Sequence, residues 1–172
     1  MELFPLHPLP VMPILERILW GLAILAVVMK SGHLPMSALL LVLSLGLLAN
    51  MYLFLGWRLF PAPTGTVQLT VLSAASGLML AVATSAILFK LQFWTGREAM
   101  LGLSILGLSI LVLTLLVMRA RRSDLRTYIR GLALRMLPLI ALCTMLLATP
   151  DAQVGAFYGR PVNAGTSATA LP

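Results

Sequence analysis

Five long apolar runs, parted by short polar breaks, constrain this chain more than any other feature. Apolar residues make up 60% of its 172 residues and charged residues only 10%, with a mean hydropathy of +1.01. A soluble domain of this size needs more polar surface than that, so a lipid bilayer is the expected solvent. Inside a bilayer the backbone must satisfy its own hydrogen bonds, which favours helices. The fold expected is all-α: a polytopic helical bundle of four to five transmembrane helices.

A helix needs about 20 apolar residues to cross roughly 30 Å of hydrocarbon. The expected spans are 14–29, 36–60, 67–89, 98–118 and 130–148. Glu16 and Arg17 occupy the first turn of the first. Pro61, Pro63 and Gly65 stop the second. The fifth carries Arg135 and Pro138, and a helix lying in the interface competes there with a spanning one. Arg135 is expected to reach the interface by extending its side chain. The membrane domain is read as residues 1–152. The tail 153–172, rich in Ala, Gly, Thr, Ser and Pro, is expected to be flexible. The first span is read as retained, because Lys30-Ser-Gly-His33 follows it in place of a small-residue cleavage site.

The net charge of +7 carries topological information. With a cytoplasmic N-terminus, eight basic residues fall inside, among them Arg119, Arg121, Arg122, Arg126 and Arg130. Four fall outside: Lys30, Lys90, Arg97 and Arg160. The excess favours N-in and C-out in a bacterial inner membrane, with a periplasmic C-terminus. The lipid bilayer is then the first partner of the basic cluster, with other membrane proteins or a second copy of the chain as further ones. Nucleic acid is not expected, since no soluble face carries the charge.

A self-similarity appears at an offset of 60 residues. The first turn reads Lys30-Ser-Gly-His33-Leu-Pro35-Met and the second Lys90-Leu-Gln-Phe93-Trp94-Thr95-Gly96, with Ser44 and Ser104 aligned beyond them. A duplicated two-helix hairpin and the recurrence of leucine-rich hairpins without duplication both account for it. Each lysine closes a helix, where the dipole favours a cation and headgroups are in reach.

With Ile-Leu-Phe before it, the second turn resembles the K-x-x-H-W-P-G turn of small Bacteroidota membrane proteins of the GldL type, which serve gliding motility and type IX secretion. The first turn keeps the histidine and proline of that motif as His33 and Pro35. The resemblance rests on the turn motif alone. Proteins of that type have two spans, a long cytoplasmic tail and an intramembrane carboxylate. This chain has five expected spans and Glu98 only at a helix entrance, so the resemblance implies the turn and not the motor role.

Few residues could carry chemistry. His7 and His33 fall on opposite sides of the membrane, Cys143 stands alone, and carboxylates are expected only near span ends. No catalytic residue, metal site or cofactor is therefore expected. Asn50 should find a hydrogen-bond partner such as Thr84, Thr114 or a serine on another helix. Ser73, Gly77, Ala81 and Ser85 form a small-residue ridge for close helix packing, within the bundle or against a partner. Trp20, Trp57 and Trp94 are expected as interfacial anchors. A non-catalytic structural or accessory subunit of a membrane assembly is the favoured function, and a small oligomeric transporter or channel the alternative.

Overall fold

The computed structural model describes residues 11–59, 67–121 and 126–158. His7, the proline break at 61–65, Arg122 and residues 159–172 lie outside them, as do the side chains of Trp57 and Arg58. The described residues form α1 (Val11–Ser31), α2 (Ser37–Leu59), α3 (Val67–Gln92), α4 (Arg97–Arg121), α5 (Arg126–Ala148) and the short α6 (Asp151–Phe157), with no strand among them. Helices α1 to α5 run up and down as antiparallel neighbours. The ends near Glu16, Tyr52 and Arg135 lie together, and so do the ends near Lys30, Lys90 and Asp151.

Among the described residues, four helices are long and apolar enough to cross a membrane, over Ser37–Phe54, Leu69–Gln92, Arg97–Ala120 and Thr127–Ala148. The segment whose spanning was open in the sequence, α5, is therefore among them. Helix α1 is not among the four; it has the length, with 21 residues, but carries Glu16, Arg17 and Lys30. Part of the stretch read as tail is described. Residues 151–157 are helical, and Val154 and Tyr158 are buried against the bundle.

Helix α3 is the axis of the bundle and packs against α2, α4 and α5. Within its span 61% is buried, against 22% for α4 and for α5. Its composition explains this, because small side chains let neighbouring backbones approach. Ser73, Gly77 and Ala81 of the ridge are buried and Ser85 partly so, which places the ridge inside this chain. Gly77→Leu adds bulk there and is expected to cost about 1 to 3 kcal/mol. Leu80→Ile, at a neighbouring fully buried site, conserves volume and should cost less than about 1.5 kcal/mol. Equal unfolding curves for the two variants in a denaturing-detergent titration would show that the ridge is not a tight contact.

The two turns repeat in three dimensions. After α1, the His33 amide donates to the Lys30 carbonyl at 3.2 Å and the Leu34 amide to the Met29 carbonyl at 3.0 Å. After α3, Phe93 donates to Lys90 at 3.2 Å and Trp94 to Phe89 at 3.0 Å. Both are Schellman closures, which need a left-handed residue just past the helix. His33 (φ 55°) and Phe93 (φ 59°) take that position, and Met36 (φ 66°) and Gly96 (φ 82°) form a second matching pair. The next helices then start alike, with Leu40 donating to Met36 and Met100 to Gly96, each at 3.0 Å. Ser44 and Ser104 are both buried and each donates to a carbonyl of its own helix.

Candidate functional site

A buried polar cluster joins α1, α2 and α5. Helix α1 begins a turn earlier than hydropathy implied, which moves Glu16 into its second turn and into the bundle, where the residue is 7% exposed. The sequence placed Glu16 near a span end but gave it no partner, and the fold turns it into the bundle. The Tyr52 hydroxyl donates to Glu16 Oε1 at 2.6 Å, and the Trp20 indole donates to Tyr52 Oη at 3.4 Å. Arg135 Nη2 lies 3.1 Å from Glu16 Oε2. Arg135 is thus held by a carboxylate inside the bundle and does not simply extend to the interface. Trp20 is half-buried over this cluster, not an interfacial anchor. In lipid an isolated charge is costly, and mutual neutralisation with further hydrogen bonds is what makes such a pair tolerable.

At the opposite end a second cluster ties the turns together. Lys90, with a side chain 1% exposed, sits 2.8 Å from Asp151 Oδ1, while Arg97 pairs with Oδ2 of the same carboxylate. Glu98 is 3.8 Å from the lysine but largely exposed. The hydrogen bond from Lys90, with that from Arg97, holds the Asp151 carboxyl below the usual carboxylate range despite partial desolvation. Lys30 donates to the Leu91 carbonyl at 2.5 Å and lies 4.6 Å from the Tyr158 ring centre. Gln92 reaches back to the Ala38 carbonyl at 3.1 Å. Both lysines therefore point into a polar cap built by α6 and the turns, not outward to headgroups.

The other sequence candidates are accounted for locally. Asn50 is exposed and donates to the Gly46 carbonyl of its own helix at 2.8 Å, so the expected interhelical bond to Thr84 or Thr114 is not formed. A short side chain on a helix always has the carbonyl four residues back in range. Thr84 and Thr114 use theirs too, on Leu80 and Ile110. His33 and Pro35 are exposed turn residues. Trp94 is 43% exposed and edge-on to Phe89 at 4.9 Å. Cys143 is buried and reduced. Among the described residues no group of three His, Cys, Asp or Glu side chains converges.

Glu16, Tyr52 and Asp151 were not singled out from the sequence. A usable signal existed for the first. In an antiparallel five-helix order, Glu16 and Arg135 start from the same side at similar depth, and each charge needs a partner there.

The two clusters bracket a cleft between α1 and α5, which do not pack extensively on one another. The half near Glu16 has a volume of about 730 Å³ and the aliphatic half near Asp151 about 520 Å³. Searches against protein-family models, curated proteins and solved structures each return no match to this chain.

Proposed function

We propose that the chain is a non-catalytic, multi-pass protein of a bacterial inner membrane that serves as a structural or accessory subunit of a membrane assembly. The observation that carries this reading is how its polar groups are used. Glu16, Tyr52 and Arg135 hold one another, and Lys90, Arg97 and Asp151 do the same. Ser44, Ser76, Thr84, Ser104, Thr114 and Thr144 each donate to their own helix. Polar groups committed to holding the bundle together suit a scaffold better than a relay. Extracted from its native membrane in mild detergent, the protein should migrate as a hetero-complex. Migration as this chain alone would count against the accessory role.

The α1–α5 cleft favours a second reading, a small oligomeric transporter, since substrate sites in transporters lie between helices. Solute flux in proteoliposomes containing only this chain would favour it.

The orientation in this proposal is N-terminus cytoplasmic, from the excess of arginines at the Glu16 end. Single cysteines placed beside Gly32 or Gly96 should react with an impermeant thiol reagent in intact cells. One placed beside Arg122 should react only after permeabilisation. The reverse pattern would invert the topology.

A further inference from the structure

The two halves of the cleft between α1 and α5 adjoin at Trp20, Ile24 and Leu142, which line both. Packed helices leave few voids larger than a water molecule. Here two glycines leave space that side chains could fill. Gly21 on α1 and Gly131 on α5 both line the half near Glu16, and a Cβ at either would meet nothing within 4 Å. The other half is lined by aliphatic side chains such as Val27, Leu45 and Met145. Its surroundings are hydrocarbon, so hydrocarbon fits it better than water.

The two halves differ in charge. Arg17, exposed, and Arg135, with a side chain 32% exposed, line the same half, and Glu16 offsets one of them. One net positive charge remains. Guanidinium forks match phosphate oxygens in pairs. The depth also fits, since Glu16 lies about 22 Å along α1 from Ser31 at 1.5 Å per residue. That places the arginines toward the inner edge of a roughly 30 Å hydrocarbon layer, within reach of headgroup phosphates for such long side chains.

We propose that this cleft binds an anionic phospholipid, its phosphate held by Arg17 and Arg135 and one acyl chain lying in the aliphatic half. The lipid enters sideways from the leaflet on the Glu16 side, with its chain parallel to α1 and α5. Bound there, it fills the space where these two helices do not touch and joins α1 to the rest of the bundle.

Trp20 lines both halves and reports on occupancy. Of the three tryptophans, Trp57→Phe and Trp94→Phe leave it as the single fluorophore. The protein is reconstituted in phosphatidylcholine vesicles containing either brominated phosphatidylglycerol or brominated phosphatidylcholine. Half-maximal quenching is expected at an about fivefold lower mole fraction of the anionic lipid, the attraction of one net surface charge. Arg17→Gln should bring that ratio close to one. Gly131→Leu fills the cleft and should abolish the preference, with the unfolding midpoint in lipid-free detergent unchanged. Gly21→Leu, from the facing wall, should do the same. Equal quenching by the two lipids in the parent protein would overturn the proposal. So would a preference that persists in both folded glycine variants.

Discussion

Arg135→Leu is expected to destabilise the bundle by about 3 kcal/mol, the low end for breaking a buried ion pair because the arginine side chain is a third exposed. The loss comes from what remains. Glu16, 9% exposed in its side chain, keeps the Tyr52 hydroxyl but loses its Arg135 ion-pair partner. A carboxylate left there without a partner is a charge in a poor solvent, which costs free energy. Replacing both residues, with Glu16→Leu and Arg135→Leu together, removes the uncompensated charge. The double variant should therefore regain most of the stability lost by the single one, as buried pairs replaced by apolar side chains often do. A double-mutant cycle in denaturing-detergent titrations measures this directly. Additive losses, with no coupling between the two sites, would mean that Glu16 and Arg135 are each solvated separately and do not form a pair.

The spans were legible in the sequence because bilayer thickness sets the length of an apolar helix, and the break residues after Phe60, Lys90 and Met118 punctuate it. The repeated turn was legible as a pattern, though not its backbone. Gly96 announces a left-handed position, whereas Met36 and Phe93 do not, since side chains of that kind avoid positive φ. The ridge on α3 was legible because small residues every fourth position share one face. Charge partners were not. Glu16 meets Arg135 only because α1 and α5 end up across one cleft, a fact of tertiary arrangement that no local window contains. Lys90 was misplaced for the same reason. A lysine at a helix end usually reaches for headgroups, but α6 supplies Asp151 from beyond the last span. Asn50 went astray differently, as the expected partner on another helix lost to a carbonyl one turn away.

Asp151→Asn is expected to cost about 3 kcal/mol near neutral pH, because it leaves a fully buried Lys90 ammonium without its main acid partner. Glu98 cannot replace Asp151, being 3.8 Å away and 66% exposed. The pH dependence follows from the direction of the shift. The hydrogen bond from Lys90, then that from Arg97, lowers the folded-state pKa of Asp151 below its unfolded value. Its stabilisation is therefore complete above the ordinary aspartate value of about 3.9 and is lost as pH falls through the lower folded value. The difference in stability between parent and Asp151→Asn should be flat above about pH 5 and close below about pH 4. A gap that stayed constant to pH 3 would show that the carboxylate charge is not what the variant removes. The same substitution should loosen α6, since Asp151 is its first residue and the tie to Lys90 and Arg97. Chymotryptic cleavage after Tyr158, the buried residue that closes that helix, should accelerate accordingly. Gln153, Val154 and Tyr158 line the aliphatic half of the α1–α5 cleft. An ion pair at one end of the bundle thus ties down the helix that lines that end of the cleft.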